Sequence, residues 1–373
     1  MRKVHCIAGI LTICGFVFAE EATPIFNQGE RIPSTLYPPA YSAPANISLA
    51  SPSIGLFADA SFLYYYIVEE GLDLAASASM TQQPNYSYAQ VLDSYGTILN
   101  QPSKFEPGFQ VGVGYHHDDW TLKADYTRIT TNTSQTSTPP QATFGTAVWS
   151  MQNWFQSLSS SGLPLAASEV SSTFKLSLNI GDITLSRPFY ESPSIILTPF
   201  GGIRTLFISQ SMQISIIENE FTVGDLPAQP IHSHNYSHSW GLGPRFGASG
   251  AWLLPMDFRL EGMLAGSLPF TRVTTVKHEE NAGSSTQTPS VIHSFVNNID
   301  ALRPILEMSV GFGWGSYINC KRNYIDFSAS YDFLWFSGVN IIRRMIDGFL
   351  IQATTHASDL HMSGLCVKAR FDF

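Results

Sequence analysis

The side chains of this sequence that could do chemistry are few, and most stand at alternate positions between apolar or aromatic neighbours. Lys123 and Asp125 interleave with Leu122, Ala124 and Tyr126, and Arg259 and Glu261 with Phe258, Leu260 and Gly262. Arg303 and Glu307 alternate with Leu302, Leu306 and Met308, Asp326 and Asp332 with Phe327, Tyr331 and Phe333, and Lys368, Arg370 and Asp372 with Val367, Ala369, Phe371 and Phe373. Asp59, Lys175, Arg204 and Arg245 are read on the same interior face. In a strand, side chains of one parity share one face. Charges of both signs on such a face would line a water-filled path and set a field across passing solutes. The plainer reading is an ion-pair network filling a narrow interior.

Bond-making chemistry has no comparable signal. The sequence contains no Gly-x-Ser-x-Gly, no His-Glu-x-x-His and no Gly-x-x-x-x-Gly-Lys-Ser/Thr. The expectation is therefore a protein that is not an enzyme and carries no cofactor. His232, His234 and His238 form the densest histidine cluster, and imidazole is a common metal ligand. On a strand the three share the outward parity, so they read as surface histidines near a membrane interface, and no metal is expected. His116-His117-Asp118-Asp119 reads as a polar tight turn.

The elements that position these residues follow from composition. Of 373 residues, 44% are hydrophobic, 13% aromatic and only 13% charged, the last about half of the roughly 25% usual in soluble domains. Mean hydropathy is +0.04, yet no segment beyond residue 19 supplies the ~18–20 apolar residues of a spanning helix. The longest candidate, Phe333–Ile351, is broken by Arg343, Arg344 and Asp347. Helical membrane proteins, disordered chains and ordinary charged cytosolic enzymes are excluded. The hydrophobicity must lie in alternation, which is the mark of strands.

Residues 1–19 read as a secretory leader, with Arg2 and Lys3, an apolar run from Val4 to Phe18, and Val17-Phe18-Ala19 as the cleavage site. Residues 20–53 carry Pro24, Pro33, Pro38, Pro39, Pro44 and Pro52 and read as an extended periplasmic segment. A net charge of −9 without a basic cluster argues against nucleic acid as a partner. Beyond the leader only Cys320 and Cys366 remain, too few for a disulfide framework.

From residue 54 to 373 the alternation repeats. Phe109, Val111, Val113 and Tyr115 oppose Gln110, Gly112, Gly114 and His116, and Phe174, Leu176, Leu178 and Ile180 oppose Lys175, Ser177, Asn179 and Gly181. Residues 194–216 are the exception, apolar on both faces apart from Arg204. Short connections near 116–119, 190–193, 253–256 and 315–322 alternate with long ones near 68–107, 131–172, 217–233, 273–299 and 337–358. Short turns on one side and long loops on the other are the layout of an outer-membrane barrel. The expected fold is all-β: a closed antiparallel transmembrane barrel of about ten strands (range 8–14), since an open edge in lipid would leave backbone groups unpaired. Trp149–Leu158, as a short amphipathic helix, and Phe336–Leu350, with Ile341, Ile342, Met345 and Phe349 at helical spacing, would cap its mouth or gate it, the cap being the plainer account.

Several stretches resemble a known family. They are Phe57-Ala58-Asp59-Ala60-Ser61-Phe62-Leu63-Tyr64, Glu69-Glu70-Gly71-Leu72, Pro107-Gly108-Phe109-Gln110-Val111-Gly112-Val113-Gly114-Tyr115, Pro199-Phe200-Gly201-Gly202-Ile203-Arg204, Gly241-Leu242-Gly243-Pro244-Arg245-Phe246-Gly247 and the closing Ala369-Arg370-Phe371-Asp372-Phe373. Together they resemble the Legionella-type pore-forming major outer membrane proteins, also found in chlamydia-like bacteria, over about residues 54–373. The resemblance implies an outer-membrane barrel assigned pore formation. Phe371 and Phe373 are similar to the C-terminal signal read by the barrel assembly machinery. The implied partners are outer-membrane lipid, that machinery and small hydrophilic solutes crossing passively, and a homo-oligomer is left open. The competing expectation is a non-conducting structural or adhesive surface barrel that works through its long loops.

Overall fold

The computed structural model describes residues 54–82, 90–92, 97–117, 119–137, 146–150, 166–192, 194–218, 230–282, 290–318, 323–342 and 357–373. The leader, the proline-rich segment and Cys320 lie outside the described residues. So does most of the two expected helices; of their described parts, Trp149–Ser150 and Phe336–Asn340 are strand, while Ile341 and Ile342 are helical.

Ten strands make the frame: β1 (Ile54–Glu69), β2 (Lys104–His117), β3 (Trp120–Ser137), β4 (Ala166–Ser186), β5 (Ile195–Glu218), β6 (Pro230–Leu253), β7 (Phe258–Ser267), β8 (Ile305–Ile318), β9 (Asn323–Asn340) and β10 (Ser358–Asp372). Each pairs antiparallel with the next. β10 pairs in turn with β1, from Phe57 opposite Asp372 to Glu69 opposite Leu360. Among the described residues the pairings thus form an antiparallel ring of ten strands.

Above β7 and β8 the ladder continues through Phe270–Ala282 against β6, and through Ile299–Leu302 and Ser290–Val296. Pro269 and Pro304, which have no N–H to give, mark where these upper pieces part from β7 and β8. Strand therefore reaches well into segments expected as loops. β5 and β6 run 24 residues each, more than twice the roughly 9–11 that a bilayer requires. At the other end, turns join β2 to β3, β4 to β5, β6 to β7 and β8 to β9. In the β6–β7 turn Met256 and Asp257 both take positive φ, 63° and 64°, a left-handed geometry suited to a tight hairpin.

Parity separates the two faces of the ring. On β10, Leu365 and Val367 are 45% and 43% exposed, whereas Arg370 between Ala369 and Phe371 is 6% exposed. The outward rows elsewhere are equally apolar: Leu56, Phe62 and Tyr64 on β1, Phe109, Val111 and Val113 on β2, and Val310 and Phe312 on β8. Bonds between strands that are not ladder neighbours define the inside. Lys123 of β3 reaches Asp59 of β1, Arg259 of β7 reaches Asp326 of β9, and Arg204 of β5 reaches Glu307 of β8.

Candidate functional site

Followed from the short-turn end, the inward face of the strands changes character at a similar point. β1 presents Asp59 and Ser61, then Leu63, Tyr65 and Ile67. β3 presents Thr121, Lys123 and Asp125, then Ile129. β4 presents Thr184 and Asp182, then Ile180, Leu178 and Leu176. β5 presents Arg204, then Leu206 and Ile208, and β10 presents Asp372 and Arg370, then Met362 and Leu360. The interior thus holds a charged tier and, beyond it, an aliphatic one.

The charged tier is a network of ion pairs. Lys123 Nζ lies 3.1 Å from Asp59 Oδ2 and 2.7 Å from Asp125 Oδ1. Arg204 donates to both oxygens of Asp182, at 2.7 and 2.6 Å, and also to Glu307. Arg245 donates to the same Glu307 at 2.9 Å. Arg259 holds Asp326 (Nη2 to Oδ1, 2.8 Å) and Glu261 (3.0 Å). Arg370 holds Asp372 at 2.7 and 2.9 Å and donates to His116 Nε2 at 2.8 Å. Tyr65 donates to Asp332 at 2.6 Å across Gly364, the residue opposite both. Ladder register makes this network possible. Asp326, Arg370, Asp59, Gly112, Asp125, Asp182 and Arg204 are successive partners from β9 round to β5. Gly112 is the gap in that row: a Cβ there would lie 2.6 Å from Asp59 Oδ1 and 2.5 Å from Asp125 Oδ1. Gly108, Gly112 and Gly114 leave the inward face of β2 low on either side of Gln110, a trough over which side chains of β1 and β3 meet. Buried pairs of this kind add little net stability over apolar packing, but losing one partner strands the other charge at several kcal/mol.

Within this tier lies a cavity of about 330 Å³. Asp59, Lys123, Asp125, Arg204, Arg245, Arg259, Glu261, Glu307, Asp326, Asp332, Lys368 and Arg370 line it. Asp372 and Arg303 are buried but are not among its lining residues. Lys175 departs from the expectation. It is exposed on the outward face, because Phe174, Leu176, Leu178 and Ile180 turn inward to build the aliphatic tier. Parity assigns lipid and lumen correctly only where the two faces differ in polarity. In this segment the apolar residues are the inner ones.

Asp182 escaped the sequence reading because the alternating window of β4 closed at Gly181. His116 read as a turn residue, yet it is buried in β2, stacked 4.8 Å from Phe57 and bonded to Thr121 at 2.7 Å. The aliphatic tier was visible only as the doubly apolar stretch of residues 194–216. Its buried residues form one contiguous cluster contributed by every ring strand except β2 and β7, with Leu74 and Ala75 from the segment after β1.

His232, His234 and His238 lie exposed on the outer face of β6, where Ser211 pairs with His234 at 3.2 Å and Ser209 with His238 at 2.7 Å. Glu70, just past β1, lies together with Asp359 and His361 of β10, with His361 Nε2 3.5 Å from Glu70 Oε1. Asp359 is already engaged there by Trp335 Nε1 and the Gly338 N–H. The terminal Phe373, on the outer side, packs edge-on to Phe371 at 5.0 Å.

The family model described as Legionella pneumophila major outer membrane protein precursor matches residues 64–373. The chain belongs to that family. Membership places the protein in the outer membrane. No characterised protein matches it in sequence. Among solved structures it is similar to the outer membrane protease OmpT of Escherichia coli, at 10% identity and TM-score 0.39, over 86% of this chain and 96% of that one. It is also similar to the attachment invasion locus protein Ail of Yersinia pestis, at 10% identity and TM-score 0.21, over 87% and 100% of the two chains. A third is the toluene transporter TodX of Pseudomonas putida, at 8% identity and TM-score 0.19, over 87% and 90%. Likeness this distant carries no argument about activity.

Proposed function

We propose that the ring is a closed transmembrane barrel and that it works as a gated pore for passive movement of small hydrophilic solutes. The observation that carries this reading is the cavity of about 330 Å³ lined by charges of both signs inside an apolar-walled ring. Solutes would be handled by electrostatics and hydrogen bonding, with no bond made or broken. The aliphatic tier would be the gate, since an apolar constriction closes a pore by excluding water. The short-turn end would face the periplasm and the long-loop end the exterior. Phe371 and Phe373 would be read by the assembly machinery.

The test is reconstitution of the refolded protein in planar bilayers beside a Leu178→Ser/Ile208→Ser variant that wets the aliphatic tier. Discrete but infrequent conductance steps are expected from the wild type, and more frequent ones from the variant. Silence from both would overturn the pore. The dense packing of that same tier favours a second reading, a non-conducting structural or adhesive barrel. A wild type and variant that are both silent, with surface binding lost on loop deletion, would support it.

A further inference from the structure

One polar bar crosses the aliphatic tier. Glu69 on β1 and Gln210 on β5 stand four strands apart round the ring, yet Gln210 Nε2 donates to Glu69 Oε1 at 2.6 Å. Both are buried, with Glu69 8% and Gln210 1% exposed. Among the described residues, Glu69 Oε2 and Gln210 Oε1 have no hydrogen-bond partner. Their surroundings are mainly aliphatic, with Ile67 on β1, Leu360 opposite Glu69 on β10, Leu176 opposite Gln210 on β4, and Leu72 and Leu74 beyond β1; the buried Ser237 opposite Gln210 on β6 is polar.

The titratable groups of the adjoining elements are engaged elsewhere or turned away. On β1, Tyr65 donates to Asp332 of β9, and on the neighbouring β2, Lys104 pairs with Glu106 at 3.0 Å. Glu70 pairs with His361 of β10 at 3.5 Å, and Asp359 accepts from Trp335. On β5, Arg204 is held by Asp182 and Glu307. On β4, Lys175 is exposed on the outer face and Glu169 is half-buried; on β6, His238 is exposed; Asp73 follows Leu72. None of these charges acts on the Glu69 carboxyl, whose environment is set by burial and by the Gln210 amide.

The chemistry is incomplete with an ionised Glu69. A carboxylate and an amide oxygen only accept, so two buried acceptors would face an apolar wall. A proton on Oε2 supplies the missing donor, letting acid and amide pair through two hydrogen bonds. We propose that Glu69 and Gln210 form a proton-held latch across the lumen: the protonated acid closes the aliphatic tier, and loss of the proton releases it.

This rests on the gated-pore reading. Glu69 stands three residues beyond Tyr66, whose contact with Phe105 (centroids 5.1 Å apart) closes the outward aromatic stretch of β1, and so lies past the membrane-spanning part. Burial there pushes its carboxyl up to about 8, against the opposing pull of the Gln210 bond. Because only the closed state raises the carboxyl, the proton's contribution to closure is full below the ordinary carboxylate range, shrinks as the pH rises from there, and is gone above about 8.

The experiment compares the full-length wild type with Glu69→Gln, in bilayers from about pH 6 to about pH 9.5, and by infrared difference spectroscopy over the same range. The wild-type open-to-closed ratio is expected to climb by up to about tenfold per pH unit until about pH 8 and then to level off, while Glu69→Gln, which cannot titrate but still pairs with Gln210, stays closed throughout. A protonated-carboxyl C=O band should be present in the wild type at acid pH and absent from Glu69→Gln. Identical pH responses of the two proteins, or no such band, would overturn the latch. The band without conductance in any variant, the wetted one included, would keep the proton-held pair and overturn the pore.

Discussion

The two tiers of the interior are built on opposite principles. In the charged tier, Glu307 bridges Arg204 and Arg245, and Lys123 bridges Asp59 and Asp125. Each group is satisfied only while its partners stay in place. In the aliphatic tier, Leu178, Leu206, Ile208 and Met212 are non-directional, each contributing roughly 1.5–3 kcal/mol by leaving water. The first tier depends on geometry and the second on volume. Damage to the charged tier should therefore be abrupt and should change what passes. Damage to the aliphatic tier should scale with the atoms removed and should change whether anything passes.

The largest expected effect is that of Glu307→Ala, which leaves Arg245 with only a 3.9 Å contact to Asp182 and half-strands Arg204 in a buried site. It should lower unfolding stability by about 3–5 kcal/mol, read from urea titration of tryptophan fluorescence in lipid vesicles. Leu178→Ala comes next, at roughly 2–5 kcal/mol set by how far the tier relaxes. Unlike Glu307→Ala, it should also raise the frequency of bilayer conductance steps. Gly112→Val fills the trough beneath the Asp59 and Asp125 carboxylates. A cost of about 1–3 kcal/mol is expected, with a wild-type stability there showing that the row does not depend on the bare position. Tyr65→Phe leaves Asp332 with the Ser309 and Ser330 hydroxyls and should cost about 1 kcal/mol. Lys175→Ala is the control. On the outer face it should stay within about 0.5 kcal/mol and leave conductance unchanged, whereas a change in ion selectivity would return Lys175 to the lumen.

The ring was legible in the sequence because lipid outside and charge inside give alternation its contrast. Thus Val367 and Arg370, or Phe327 and Asp326, separate cleanly. Legibility ended where both faces became apolar. At Phe174–Ile180 the inner residues looked like lipid contacts, which moved Lys175 to the wrong side and hid the aliphatic tier. Asp182 and His116 were lost for another reason, since their partners, Arg204 and Arg370, are 22 and 254 residues away in sequence. No local spacing reports such a contact. The register that brings them together is a property of the ring.

The central claim is that one interior holds water at one level and excludes it at the next. Single cysteines in a Cys320→Ser/Cys366→Ser background test it directly, by reaction with a membrane-impermeant, water-soluble thiol reagent applied from the short-turn side. Ser330→Cys, on the cavity wall, is predicted to react, while Leu178→Cys in the aliphatic tier and Ile183→Cys on the lipid face are predicted to stay protected. Reaction of Leu178→Cys as fast as that of Ser330→Cys would contradict the account.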